Sequence, residues 1–126
     1  MNTLDIGKLG EDAATVYLKK NGYRIVERNL HVSHNEIDII VKDKTYLVFV
    51  EVKARSTDAT LYSDYGSPAS AVNKAKQRRT LDAARKYLAT STHSKLQPRF
   101  DVIEVYIDKN EFKILKINHI INAFGT

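Results

Sequence analysis

Four residues in the middle of the chain have types and spacing that suit chemistry on a charged substrate: Asp38, Glu51, Lys53 and, two positions before Asp38, Glu36. Residues 35–53 read as two β-strands joined by a tight turn at Lys42-Asp43-Lys44-Thr45. In the first strand Ile37, Ile39 and Val41 alternate with Glu36, Asp38 and Ile40, the period of two expected of a strand. The second, Tyr46 to Lys53, is apolar on both faces and suits a central strand until Glu51 and Lys53 interrupt it. These two share the face begun by Leu47 and Phe49. A short hairpin lets Asp38 lie across from them, and Glu36 has the parity of Asp38. Acids converging at the end of a buried strand repel one another unless a cation sits between them. All-oxygen ligation suits a hard ion such as Mg²⁺, with Mn²⁺ as its substitute. The competing reading is a solvated Glu-Lys pair at a strand end, worth at most about 1 kcal/mol.

The elements that must position these groups follow from the pattern on either side. Residues 3–20 form an amphipathic helix with Leu9, Ala13, Val16 and Tyr17 at helical spacing, and Asn21-Gly22 stops it. Glu11 lies within this helix, where a solvated glutamate is the ordinary expectation. Tyr23 to Leu30 is a first strand carrying Arg24 and Arg28 on one face, and His31 to Asn35 is a turn. Asn35 is the residue expected to take a positive φ. Ala54 to Ser67 reads as a polar loop that includes Arg55. Pro68 and Asn73 are helix-start signals for a second helix running to about Thr90, with Leu81, Ala84 and Leu88 on its buried face. A polar linker, Ser91 to Gln97, leads to a strand from Arg99 to Ile107. A turn at Asp108-Lys109-Asn110-Glu111 returns the chain as a strand from Phe112 to Ile117, and the apolar tail to Phe124 docks on the body. The order α-β-β-β-α-β-β implies an α/β domain, residues 1–126, with a mixed central sheet flanked by helices.

Composition excludes several classes. A chain of 126 residues with 43% hydrophobic and 28% charged residues is sized for one soluble domain. Without cysteine there are no disulfides, thiolate metal sites or cysteine nucleophiles. The four histidines show no ligand spacing. No apolar run approaches the roughly 20 residues of a membrane span, and the N-terminus lacks a signal-peptide pattern, so a cytoplasmic protein without membrane partners is expected.

The formal net charge is +5, and its distribution is uneven. Lys74, Lys76, Arg78, Arg79, Arg85 and Lys86 stand against Asp82 alone in the second helix. A solvated basic face is one meaning of that run. Contact with a phosphate backbone is the other, and the single loop joining the helix to the acids favours it.

Gly7-Lys8-x-Gly10-Glu11-x-x-Ala14, Tyr23 to Asn29, Glu36-Ile37-Asp38-Ile39-Ile40, Val48-Phe49-Val50-Glu51-Val52-Lys53-x-Arg55 and Arg99-Phe100-Asp101-Val102 occur in that order. Together they resemble the YraN family of small bacterial proteins over nearly the whole chain, down to Asn122-Ala123-Phe124. The resemblance implies the restriction-endonuclease-like core of the PD-(D/E)xK superfamily, with a likeness to Holliday-junction resolvases. It makes Asp38 the superfamily aspartate and Glu51 and Lys53 its Glu-x-Lys. It also raises Glu11 to a metal ligand beside Asp38 and Glu51. Asn35 stands where the family usually has glycine, and Ile37 rather than proline precedes Asp38.

The expected function is therefore hydrolysis of DNA phosphodiester bonds by a metal-dependent endonuclease or junction resolvase. In that reading Asp38, Glu51 and Glu11 hold Mg²⁺ or Mn²⁺, Lys53 acts at the reacting phosphate, and Glu36 supports the ligands from behind. Arg55, Lys74, Lys76, Arg78 and Arg79 grip the backbone. A branched DNA would suit a homodimer. The alternative is a non-catalytic nucleic-acid-binding module of a repair, recombination or uptake complex.

Overall fold

A central strand that is apolar on both faces needs cover on both sides, and that requirement organises the molecule. The structure is a computed structural model, and it describes residues 3–58, 73–93 and 95–125. Two helices and five strands follow in the expected order: α1 (Thr3–Lys20), β1 (Arg24–Val32), β2 (Asn35–Lys42), β3 (Tyr46–Thr57), α2 (Lys74–Thr90), β4 (Gln97–Asp108) and β5 (Ile114–Phe124). The strands form one sheet in the order β1-β2-β3-β4-β5. All neighbours are antiparallel except β3 and β4. A parallel pair cannot be closed by a tight turn, so the chain crosses over between them through α2.

The helices occupy opposite faces. Ala14 and Leu18 of α1 bury against Ile39, Val41, Val48, Val50, Ile103 and Val105. Ala83 and Ala84 of α2 bury against Ile40, Leu47, Phe49 and Phe100. On the second face Phe49 stacks on Phe100 and Phe100 on Phe124, each at a centroid separation of 5.3 Å. α1 lies unusually close to β3. A Cβ on Gly10 would sit 2.6 Å from the Cβ of Ala54, so any larger residue there would push the helix off the strand.

Several boundaries differ from the sequence reading. The positive φ near the first turn belongs to Ser33 (φ 56°), and Asn35 already opens β2. β1 runs on to Val32, because His31 and Val32 pair with Glu36 and Asn35. Ala54 to Thr57 is strand, since β3 pairs with β4 from Tyr46↔Gln97 to Thr57↔Asp108. The remainder of the expected loop from residue 59, together with Pro68, lies outside the described residues. Asn73 caps α2, its side chain accepting the Lys76 backbone N–H at 2.8 Å. Thr80, Ala83 and Ala84 make the buried stripe of α2, and Leu81 and Leu88 are half-buried beside it. Residues 114–124 form one continuous strand instead of a short strand and a docked tail, and Phe112 stays in the turn with φ 58°. No helix among the described residues is long and apolar enough to cross a membrane.

Candidate acidic centre at the fork of β2 and β3

The β2–β3 ladder pairs Lys42 with Leu47 and continues to Ile39 with Val50. One further step would set Asp38 opposite Glu51, but the pairing ends there. Instead the Asp38 carboxylate accepts the Val52 N–H at 2.8 Å, a side chain replacing a ladder bond. Beyond that point the alternation of β2 breaks: Ile37 joins Ile40 in the cluster under α2. Asp38 thus sits where the two strands separate, lining the cleft beside α1.

The electrostatics are those of an under-compensated acid. Burial pushes the Asp38 carboxyl up to about 7, and the nearby charge of Glu51 adds to the rise, with a smaller push from Glu11. The Val52 N–H and the Lys76 ammonium act in the other direction. Glu51 is only 6% exposed. One of its oxygens, Oε1, lies 3.4 Å from Lys76 Nζ and 4.0 Å from Lys53 Nζ. Lys53 and Lys76 therefore converge on one oxygen of Glu51, and Asp38 lies within electrostatic range of Glu51 and Lys76.

Glu11 reaches the same region from α1 but is already engaged. Its Oε1 accepts from Arg28 Nη2 at 3.0 Å, from Arg28 Nε at 3.2 Å and from Asn29 Nδ2 at 2.8 Å. Arg28 also donates to Asp12 at 2.8 Å. That hydrogen bond is the largest cause holding the Asp12 carboxyl below its ordinary value. A cleft of about 530 Å³ separates Gly7, Lys8 and Glu11 of α1 from Asp38, Val52 and Ala54, with Arg28 and Asn29 at its side.

The other expected site residues are more dispersed. Glu36 is exposed on the β1–β2 ladder opposite His31. Lys74, Arg78 and Arg79 are exposed on α2, whereas Lys76 turns to Glu51. Arg55 donates from Nε to Glu104 Oε2 at 2.8 Å. Sequence reasoning passed over Arg28, Asn29 and Glu104. An acid flanked by Ile103 and Val105 in an otherwise apolar strand was the available signal for the last of these.

The donor set fits a hard dication through its chemistry. Two carboxylates that repel each other at a desolvated spot offer oxygen ligands, and Mg²⁺ is commonly held by one or two carboxylates with waters completing its shell. Among the described residues no group of three His, Cys, Asp or Glu is arranged to hold a metal ion. The claim of Arg28 and Asn29 on Glu11 fits that result.

Comparison with known proteins places this geometry in a lineage. The model of a family described as "Uncharacterised protein family UPF0102" matches residues 10–105. The chain belongs to this family. The matched span holds Glu11, Asp38, Glu51, Lys53 and Glu104, and so the whole fork. A UPF0102 protein of Caldanaerobacter subterraneus subsp. tengcongensis is 41% identical over 124 residues, covering 98% of each chain. A UPF0102 protein of Desulfosudis oleivorans is 46% identical over 118 residues, covering 94% of this chain and 88% of its own. One from Prosthecochloris aestuarii is 41% identical over 123 residues, covering 95% and 93%.

Proposed function

We propose that this UPF0102 protein is a divalent-cation-dependent endonuclease that hydrolyses phosphodiester bonds in DNA, branched DNA included. The observation that carries the reading is the fork itself: Asp38 within electrostatic range of Glu51, whose carboxylate lies beside Lys53 and Lys76. Asp38 and Glu51 are the residues that would hold Mg²⁺ or Mn²⁺. Such an ion, when bound, polarises a phosphoryl oxygen and lowers the pKa of a coordinated water. The protein's own groups do the rest. Lys53 and Lys76 present ammonium groups beside Glu51, where negative charge on a pentavalent phosphorus is stabilised. The exposed Lys74, Arg78 and Arg79 extend that positive surface along α2 and suit sequence-independent contacts to neighbouring phosphates.

The test incubates purified protein with linear, single-stranded, flapped and four-way DNA in Mg²⁺ or Mn²⁺. Cleavage of at least one substrate is expected, and it should vanish in Glu51→Ala and Lys53→Ala. Cutting that survives both substitutions would refute the assignment. A second reading, a nucleic-acid-binding module without cleavage, is favoured by the engagement of Glu11 with Arg28 and Asn29. It requires salt-sensitive DNA binding that Glu51→Ala leaves unchanged, with no cutting under any of these conditions.

A further inference from the structure

Past the acids, the α2-facing side of the sheet carries two polar rows running across three strands. In the first, Lys53, Glu104 and Asn118 are register partners on β3, β4 and β5. In the second, Arg55, Tyr106 and Lys116 are. Glu104 lies directly beside Lys53, yet no ion pair joins them. Its carboxylate is 2% exposed and is taken up by three other donors. Oε2 accepts Arg55 Nε at 2.8 Å, and Oε1 accepts the Tyr106 hydroxyl at 3.2 Å and Asn118 Nδ2 at 3.4 Å.

This arrangement has two physical consequences. Arg55 can only donate, whereas the Tyr106 hydroxyl and the Asn118 amide can reverse their roles, so the bond to Arg55 is the one that demands an acceptor at 104. A glutamine there keeps an acceptor but loses the charge that strengthens the bond, and so loosens the hold on Arg55. The second consequence concerns Arg55, whose guanidinium is held through Nε. Among the described residues its two terminal nitrogens carry no other hydrogen bond, and the side chain is 42% exposed. An arginine gripped at Nε presents its terminal N–H groups as a fixed fork, the geometry that binds phosphate oxygens. Arg55 follows Lys53 by two residues on the same strand face, about 6.6 Å further along.

We infer that Glu104 is a positioning residue that fixes the Arg55 guanidinium as a phosphate clamp adjoining the acidic centre, so that a nucleic-acid backbone is gripped one step from the acids. The inference rests on the proposed nucleic-acid function and names a determinant of substrate placement within it. An ion pair that merely staples β3 to β4 would use the same atoms, but the two roles predict different binding behaviour.

The experiment measures fluorescence anisotropy of a labelled duplex oligonucleotide in EDTA, across a salt series. Four proteins are compared: wild type, Glu104→Gln, Arg55→Lys and Arg55→Ala. Removing a negative charge from a DNA-binding surface should strengthen binding on electrostatic grounds alone. Loss of positioning should instead weaken it, so the sign decides. Glu104→Gln and Arg55→Ala are each expected to bind about tenfold more weakly. Both should lose about one phosphate contact from the salt slope. Arg55→Lys keeps the charge and lacks the fork, so it serves even if Glu104→Gln folds poorly. It should weaken binding nearly as much as Arg55→Ala. Unchanged or tighter binding by Glu104→Gln, or full retention by Arg55→Lys, would overturn the inference alone. Absence of DNA binding by the wild type would overturn the clamp, while the proposed function stands or falls on the cleavage assay.

Discussion

Two buried aspartates in the same sheet have opposite fates. Asp101 on β4 is fully buried, and desolvation alone would push its carboxyl up, yet hydrogen bonds from His119, Arg99 and the Asn122 backbone hold it below the ordinary value. Arg99 donates twice, at 2.9 and 2.8 Å. His119 Nε2 lies 2.7 Å from Oδ2, and the Asn122 N–H is 2.9 Å from Oδ1. Asp101 falls in the β4–β5 irregularity between Phe100 and Val102, so its carboxylate fills a gap in the ladder. The network continues through Tyr17, whose hydroxyl is 3.0 Å from His119 Nδ1, and Tyr23, which accepts from Arg99 at 2.7 Å. Asp38 keeps some solvent exposure, accepts one backbone N–H and feels the charge of Glu51, and its carboxyl rises to about 7. Burial makes an acid structural where donors surround it and leaves its charge under-compensated where they do not.

That contrast can be broken experimentally in order of expected size. The largest effect is on cleavage. Under the proposed function, Asp38→Asn should lower the DNA-cutting rate by about a thousandfold or more, because a carboxylate proposed to hold the metal is lost. Asp101→Asn, whose carboxylate bonds Arg99, His119 and the Asn122 backbone and none of Asp38, Glu51 and Lys53, should leave the rate per folded molecule within severalfold in the same assay. Stability should show the reverse order. Asp101→Asn leaves the buried Arg99 without its anionic partner and should cost roughly 2–4 kcal/mol in urea denaturation.

The third and smallest effect sharpens the comparison through pH, in metal-free buffer. A carboxyl whose folded pKa exceeds its unfolded value binds more protons when folded, so stability falls as pH rises between the two. For Asp38 this window runs from the ordinary 3.8 to about 7. Asp38→Asn should therefore stabilise the protein at pH 8 by roughly 1–3 kcal/mol, a gain that disappears below pH ~4. Asp101 has the opposite sign: its lowered pKa stabilises the fold above the ordinary 3.8, and that contribution is lost as pH falls through the folded value. A destabilised Asp38→Asn protein at pH 8 would contradict the account of the fork as strained by its own charge.

Local pattern made much of this legible. The period of two in Ile39 and Val41, the two-sided apolar run of β3 and the helical spacing of Leu9, Ala13 and Tyr17 each reflect burial by near neighbours in sequence, whereas Ile37 crosses to the cluster under α2 and Val16, expected on the same helix face, is exposed. Those patterns were enough for the α/β order and for Asp38, Glu51 and Lys53 as neighbours. Features that depend on β4 could not be read this way. Ala54 to Thr57 is too polar to announce a strand and is one only because β4 pairs with it in parallel. Tyr106 and Arg99 lie two residues from Glu104 and Asp101, but Arg55 comes from β3 and Asn118, His119 and Asn122 come from β5, set by a register that no local window contains. Lys76 read as one cation among six on a basic helix, and its contact with Glu51 depends on where α2 lands.

Because the strands lie side by side in the order in which they are synthesised, the molecule has a natural assembly sequence. β1, β2 and β3 form a meander closed by short turns, and contacts so near in sequence form early. Asp38, Glu51 and Lys53 all belong to it, whereas the anchor of Arg55 waits for the long return of β4. The refolding chain should thus gather its acids before Arg55 is anchored on Glu104. Pulse-labelled hydrogen exchange should protect β2–β3 amides ahead of β3–β4 amides, and the reverse order would contradict this.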